Sequence, residues 1–120
     1  AAAAVSAHTL DWDARETWPP PAENDVVLLA DGLYQEGSIA LVAAVVAHLL
    51  APGGAFLLMD TQTRRGKEGL RARFLAELAA SRTAPLRELR AEQRTARMPA
   101  PLLDSNTADA HPLEFVVFAA

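Results

Sequence analysis

An acidic and a phenolic side chain stand close together after a predicted strand: Asp31 and Tyr34, in the sequence A-D-G-L-Y. Asp31 directly follows an apolar run at 26–30, whose length and lack of polar alternation predict a strand buried on both faces. Open α/β sheets bind ligands just outside the carboxyl ends of their strands. A carboxylate and a phenol in that place can form hydrogen bonds to a polar ligand. The simpler alternative is that Asp31 caps the following segment and Tyr34 only packs.

A second acidic and aromatic group, Asp11 and Trp12, follows a weakly predicted strand at 4–10. The face of Trp12 suits a purine ring, and a loop just past a strand is a suitable place for a ligand. Covering an edge of the core is an equally good explanation of Trp12. Trp18, in contrast, belongs to the proline-rich segment 13–24, which we predict to be a loop because proline lacks a backbone donor and has a fixed φ. We expect Trp18 to contact solvent or a partner.

The other residue types argue against several chemistries. The chain has no cysteine, which excludes disulfides, thiolate metal sites and a cysteine nucleophile. Its three histidines are far apart in the sequence, so no metal site is expected. Ser38 and Ser81 lack the sequence of a hydrolase nucleophile elbow. The basic groups at 64–67 and 87–97 are interpreted as solvated surface, although the first could also contact an acidic substrate or RNA.

Composition limits the class of protein. A chain of 120 residues forms one modest core, and a net charge of −4 gives no electrostatic reason to expect nucleic acid as the main partner. The longest apolar stretch, 39–51, is too short to span a bilayer, and the first residues do not resemble a secretory signal. We therefore expect an intracellular, cytoplasmic location and no membrane partner. The opening run of alanines suggests a chain cut from something longer.

A helix between two strands must position Asp31. We predict this helix at 38–51, with Ser38 as its N-cap and Pro52, Gly53 and Gly54 as its stop. Its apolar stripe comprises Leu41, Val42, Val45, Leu49 and Leu50. The run at 55–59 predicts a second buried strand. A helix of about 14 residues at ~1.5 Å each is long enough to return beside such a strand, so we expect a right-handed crossover between parallel strands.

The C-terminal part predicts one more helix and a hairpin. A polar loop at 60–66 precedes an amphipathic helix at 67–81, whose apolar face comprises Leu70, Phe74, Leu75 and Leu78. Segment 85–92 is ambiguous between an edge strand and a helical turn, and 98–111 resembles a loop. The β-rich run at 113–119 predicts a terminal strand in an antiparallel hairpin at the sheet edge.

Three local motifs and the order of these elements resemble one known family. The motifs are T-L-D-W at 9–12, D-x-x-Y at 31–34, and L-L-A-P-G-G-A-F-L-L at 49–58. Together they resemble the C-terminal half of class I, seven-strand, Rossmann-like methyltransferases that use S-adenosylmethionine. The D-x-x-Y pattern is most similar to the protein lysine methyltransferase-like group. The fold class implied is α/β, with parallel strands, crossover helices and an antiparallel last strand.

The resemblance implies roles for particular residues. Asp31 and Tyr34 would lie beside the target amine as catalytic residues, and Asp11, Trp12 and Ala30 would contribute to the S-adenosylmethionine pocket. The family's glycine-rich loop and the acidic residue that ends its second strand have no counterpart here. Residues 1–120 would therefore form a partial domain without the N-terminal cofactor-binding half, and cofactor binding is expected only with that half.

Two functional hypotheses follow. The chain is part of a protein lysine methyltransferase whose remaining sequence supplies the glycine-rich half, and its partner is a protein substrate. Alternatively, it is a catalytically inactive methyltransferase-like module that serves as a structural or interaction component of a larger protein assembly. An unrelated nucleotide-binding domain is disfavoured, because the sequence contains no phosphate-binding loop.

Overall fold

The computed structural model describes residues 3–61, 69–82, 86–96 and 111–119. In these parts of the chain, four strands form one sheet in the order β1-β2-β4-β3. The strands are β1 (Asn24–Ala30), β2 (Leu50–Thr61), β3 (Arg87–Ala96) and β4 (His111–Ala119). The helices are α1 (Ile39–Leu49) and α2 (Leu70–Ala80), with short 3-10 helices at Arg15–Thr17 and Glu36–Ser38. None of the described helices is long and apolar enough to cross a bilayer.

The first two strands are parallel, as the crossover predicts. The register pairs Val26 with Ala55 and Ala30 with Met59, and α1 connects the two strands. The helix is shorter than predicted, because the backbone becomes extended at Leu50 and β2 begins there. Gly53 then adopts a φ of 76°, a conformation that glycine reaches without a steric penalty.

The C-terminal strands form the predicted hairpin. β4 pairs antiparallel with both β2 and β3, so β3 is the strand at this edge of the sheet. Of the ambiguous segment 85–92, the residues from Arg87 onward belong to β3, because pairing with β4 supplies the hydrogen bonds that a lone helical turn lacks. Two predicted loops lie largely outside the described residues. Of the loop at 60–66, only residues 60 and 61 are described, and they belong to β2. Of the loop at 98–111, only His111 is described, and it begins β4.

The core lies between one face of the sheet and the two helices. This helix face of the sheet comprises Phe56, Leu58, Val116 and Phe118, all buried. From α2, the predicted stripe residues Leu70, Phe74 and Leu78 are buried against it, and Leu75 is partly buried. From α1, the buried residues are Ile39, Val42, Ala43, Val45 and Val46. The centre is aromatic: the ring of Phe56 lies 5.9 Å from that of Phe74 and 5.8 Å from that of Phe118.

The opposite face of the sheet is apolar and open. This open face comprises Val26, Leu28, Leu57, Met59 and Val117. Val26 is 56% exposed and Leu28 is 69% exposed, so the prediction that the first strand is buried on both faces is wrong for this chain. The physical reason is that both described helices lie on the other side, where they pack against each other and the helix face.

The segment before β1 contains no strand. The weak prediction at 4–10 is wrong, because these residues are irregular and mostly exposed, with no described neighbour to pair with. The proline-rich segment contains only the 3-10 helix at Arg15–Thr17 before β1 begins at Asn24.

Candidate functional site

Asp31 stands at the carboxyl end of β1, where the parallel strands present their ligand-binding edge. Its backbone N–H donates to the Met59 carbonyl at 2.9 Å, which continues the ladder between β1 and β2 by one residue. Its φ is 52°, a left-handed conformation that is uncommon for a non-glycine residue, although Asp tolerates it better than most. Such conformations cluster at functional sites. Asp31 is exposed, and Ala30 beside it is exposed as well.

Tyr34 follows Asp31 through a short segment that the core holds in place. A Cβ at Gly32 would lie 2.6 Å from Leu29 Cδ1, so only glycine fits this position without a shift of the neighbouring side chain. Leu33 is buried in the core and anchors the segment. Tyr34 itself is 40% exposed, and Asp31 and Tyr34 each already make an interaction within the chain. The structure therefore places Ala30 and Asp31 at the carboxyl end of β1, with Tyr34 three residues further along the chain.

Ser38 supports the same segment in a way that the sequence does not predict. Ser38 occupies the N-cap position of α1 as predicted, but its hydroxyl donates to the Gln35 carbonyl at 2.9 Å and makes no capping bond to α1, so that part of the prediction is wrong. The reason is that the 3-10 helix Glu36–Ser38 runs directly into α1, and Ser38 already has helical backbone angles. The Arg73–Glu36 ion pair, at 3.2 Å, further connects this segment to α2.

The structure does not place Asp11 beside Asp31. The Asp11 carbonyl accepts a hydrogen bond from the Trp18 indole at 2.9 Å, and the Trp18 ring lies 5.1 Å from that of His48 in an edge-on arrangement. His48 belongs to the last turn of α1, and its carbonyl accepts from Ala22 N–H just before β1. Asp11 therefore lies near the start of β1, while Asp31 follows the end of this seven-residue strand, roughly 20 Å away.

Trp12 and Trp18 are both half-buried within the chain. Trp12 packs against the core, which agrees with the simpler of its two explanations. Trp18 is covered on one side by the Arg15 guanidinium, 4.9 Å from its ring centroid. His48 Nε2 lies 2.7 Å from the Pro19 carbonyl and fixes the proline-rich segment to α1. Whether Asp11 and Trp12 contribute to cofactor binding stays a prediction.

The open face contains a half-open apolar depression of about 200 Å³, lined by Leu28, Met59 and Val117 among others. Ligand pockets usually measure roughly 300–1,000 Å³ and include polar groups that fix the ligand's orientation. This depression alone is too small and too apolar to hold S-adenosylmethionine, and a contribution of Ala30 to a cofactor pocket stays a prediction. Among the described residues, no group of His, Asp and Glu converges as metal ligands.

Sequence reasoning missed the residues that hold Tyr34 in place. Gly32 and Leu33 act through packing, and the only signal for them was an apolar residue two positions after Asp31. The D-G pair was a signal for the positive φ of Asp31, because Asp before Gly is frequent in such turns.

Comparison with known proteins identifies the family. A sequence model described as "Lysine methyltransferase" matches residues 1–80, two thirds of the chain. The chain belongs to the lysine methyltransferase family. The matched residues include Asp31 and Tyr34 as well as the parallel unit β1–α1–β2. The predicted resemblance to a class I methyltransferase fragment is thereby confirmed.

A solved structure with the same fold is the CurJ carbon methyltransferase. It superimposes with a TM-score of 0.53 at 17% identity, and the alignment covers 94% of this chain and 34% of that chain. This likeness confirms the α/β methyltransferase fold, including strands for which the family model has no match. The chain spans about a third of the length of that protein. No curated protein sequence matches the chain.

Proposed function

We propose that this chain is the substrate-orienting part of an S-adenosylmethionine-dependent methyltransferase that modifies a lysine amine in a protein. Membership of the lysine methyltransferase family supports the class of reaction. The observation that supports the proposal is the position of Asp31 directly after β1, at the carboxyl end of the parallel pair β1–β2, with buried Leu33 holding the segment that leads to Tyr34.

The side chains of Asp31 and Tyr34 are suited to orient the nitrogen of a substrate amine. S-adenosylmethionine, when bound, would supply an electrophilic methyl group: a neutral amine nitrogen would form a bond to the methyl carbon as the carbon–sulfur bond breaks, S-adenosylhomocysteine would leave as a neutral thioether, and the methylated ammonium would lose its extra proton to solvent. The Asp31 carboxylate accepts a hydrogen bond from the amine N–H, and the Tyr34 hydroxyl provides a second polar contact. Two contacts restrict the direction of the nitrogen lone pair. Orientation of this kind supplies a large part of the rate enhancement in a two-substrate reaction.

The backbone around Asp31 and Tyr34 is arranged before any substrate arrives. The Asp31 N–H is bonded to Met59, Gly32 lies against Leu29, and the Ser38 hydroxyl closes the turn onto Gln35. A preorganised segment does not have to be ordered when the substrate binds, so less binding energy is lost. We therefore expect substitutions of Asp31 to affect turnover more than folding.

The test is methyl transfer by the full-length gene product carrying Asp31→Asn. Asn keeps the size of Asp and tolerates the positive φ, so the variant removes the charge and leaves the backbone unstrained. We expect transfer of a radiolabelled methyl group from S-adenosylmethionine to lysine in proteins of the native host extract to fall about 100-fold, because an unoriented nucleophile loses about this factor.

A matched control lies on the same strand. Asp25 is exposed and stands at the opposite end of β1, so Asp25→Asn changes the same functional group far from the site and should leave transfer unchanged. Circular dichroism and thermal melting verify that both variants fold. Equal transfer by the Asp31→Asn and wild-type proteins would remove Asp31 from the site. Absence of transfer by the folded wild-type protein would favour the inactive-module hypothesis.

A further inference from the structure

Tyr34 lies on a short exposed arch between two buried anchors. The arch comprises residues 34–37, all of them exposed. Leu33 precedes it and is buried at 3% exposure, and Ser38 and Ile39 follow it at 9% and 0%. Backbone sterics leave few conformations to so short a segment when both of its ends are fixed. The two anchors therefore determine where the Tyr34 side chain lies.

The second anchor contains a buried hydroxyl. Among the described residues, Ser38 is the one polar residue that is buried. A buried hydroxyl is costly unless it forms a hydrogen bond. The Ser38 hydroxyl donates to the Gln35 carbonyl at 2.9 Å, and the Ser38 backbone N–H donates to the same carbonyl at 3.1 Å. Two donors on one carbonyl fix the direction of the peptide group that joins Gln35 to Glu36.

The fold itself does not require this hydroxyl. The backbone N–H of Ser38 closes the turn onto Gln35 without it, and the hydroxyl makes no capping bond to α1. Alanine would fit the same position without the cost of burying a polar group. The hydroxyl adds a second hydrogen bond to the Gln35 carbonyl, so its purpose must be sought in what that carbonyl positions.

Only Gln35 separates that carbonyl from Tyr34. The backbone of Gln35 is extended, with a φ of −117° and a ψ of 118°. Because peptide groups are planar, a tilt of the peptide group after Gln35 is transmitted through these two torsions to the Cα and ring of Tyr34. The Arg73–Glu36 ion pair does not replace the hydroxyl in this role, because its side chains are 47% and 78% exposed and water screens their attraction.

We infer that Ser38 is a positioning residue for the proposed methyl transfer. Its hydroxyl holds the Gln35 carbonyl and thereby aligns Tyr34 with the substrate amine. Ser38 does not contact the substrate, because its side chain is buried and its hydroxyl hydrogen is donated to Gln35. The inference rests on the proposed function, in which the Tyr34 hydroxyl provides one of the two contacts that orient the amine.

Methyl transfer by the full-length gene product carrying Ser38→Ala tests the inference. We expect the rate of transfer from radiolabelled S-adenosylmethionine to lysine in proteins of the native host extract to fall about 10-fold, the effect of one substrate hydrogen bond that is no longer aligned. The KM for S-adenosylmethionine should stay unchanged, because the arch is assigned to the amine and not to the cofactor. Equal transfer by the variant and the wild type would overturn the inference.

Two further variants show whether the hydroxyl bond is the cause. Ser81 also donates its hydroxyl to a backbone carbonyl, that of Glu77 at 2.8 Å, at the end of α2. Ser81→Ala therefore removes the same kind of bond outside the arch and should leave transfer unchanged. Ser38→Thr keeps a hydroxyl and should restore most of the transfer. A Ser38→Thr protein that melts like the wild type but transfers as slowly as Ser38→Ala would contradict the inference.

A double-mutant cycle separates a positioning role from a general structural one. Tyr34→Phe should itself lower transfer about 10-fold. If Ser38 acts through the Tyr34 hydroxyl, adding Ser38→Ala to Tyr34→Phe lowers transfer no further, whereas independent losses would multiply to about 100-fold and overturn the inference. A loss in Tyr34→Phe with none in Ser38→Ala overturns this inference alone. Undiminished transfer by Tyr34→Phe overturns the proposed role of Tyr34 as well.

Proteolysis checks the hold on the arch without methyl transfer. Glu36 lies on the arch, and a glutamate-specific protease cleaves after it only when the arch opens locally. In the full-length protein we expect Ser38→Ala to raise the rate of this cleavage about 10-fold, the effect of one lost hydrogen bond on local opening. Ser81→Ala should leave the rate unchanged, and both variants should melt near the wild-type temperature. Unchanged cleavage after Glu36 in Ser38→Ala would show that the hydroxyl does not hold the arch and would overturn the inference.

Discussion

The two faces of the sheet are built from neighbouring residues of the same strands, yet they differ sharply in burial. Phe56 is fully buried on the helix face, whereas Leu57, one residue later, lies half-buried on the open face. Val116 and Val117 show the same difference. The strand sequences are about equally apolar on both faces, so the difference arises from which side carries helices. The hydrophobicity of a strand shows that a face favours burial. Whether that face is buried depends on the elements that pack against it.

The difference in burial also implies that the two faces contribute unequally to stability. The helix face, with its three aromatic rings and two helices, holds the β1–α1–β2 unit together. The open face contributes little to the stability of the described chain, because its apolar side chains stay in contact with water. The following substitutions test the comparison in the 120-residue chain, from the largest expected effect to the smallest.

The largest effect is expected from Phe56→Ala. The side chain is fully buried between Phe74 and Phe118, so truncation leaves a cavity and should cost about 3–5 kcal/mol of unfolding free energy in urea denaturation. Leu28→Ala on the open face is the matched change and should cost less than about 0.5 kcal/mol, because Leu28 is largely exposed. Comparable losses would show that the open face is covered in this chain too.

A smaller effect is expected from exchanging valine for threonine, which keeps the shape and adds a hydroxyl. Val116→Thr buries that hydroxyl against the helices, so we expect a loss of about 1–3 kcal/mol in the same measurement. Val117→Thr places it on the open face, where water can bond to it, and the loss should stay below about 0.5 kcal/mol. If Val117→Thr proved the more costly change, the assignment of the two faces would be reversed.

The smallest effect is expected from Arg73→Ala. This change removes the ion pair with Glu36, but the two side chains are 47% and 78% exposed, so water screens their attraction. We expect less than about 0.5 kcal/mol of lost stability, within the range of surface pairs. Wild-type stability should correspondingly change little between low salt and 0.5 M NaCl, a concentration that screens charges within about 4–5 Å. A loss above about 1.5 kcal/mol would assign the pair a structural role in positioning Tyr34.

Local sequence patterns predicted most of the elements but not all of their details. The apolar runs predicted β1, α1, β2 and their parallel order, because strands and helices have strong local signatures, although α1 ends before Pro52 and the P-G-G residues lie within β2. The Ser38 hydroxyl was predicted to accept a hydrogen bond from a backbone N–H of α1. It instead donates to the Gln35 carbonyl, because Ser38 ends the 3-10 helix that precedes α1. The ambiguity at 85–92 had the same origin: only pairing with β4 makes that segment a strand.

In the candidate site, too, local sequence predicted some features, and others depended on tertiary contacts. The apolar run at 26–30 was sufficient to predict that Asp31 directly follows a strand, because the run ends at Ala30, whereas a joint role of Asp31 and Tyr34 stays a prediction. The relation of Asp11 to Asp31 was not predictable. It depends on the Trp18 indole, which binds the Asp11 carbonyl beside His48 and thereby fixes it near the start of β1.

The sequence by itself determined the β1–α1–β2 unit, the family, and the position of Asp31 at a strand end, because each depends on residues that are close together along the chain. Only the tertiary structure decided which face of the sheet carries the helices and which stays open. Alternating side chains of equal hydrophobicity contain no information on which side the neighbouring elements will pack, and that choice is made by contacts between residues far apart in the sequence.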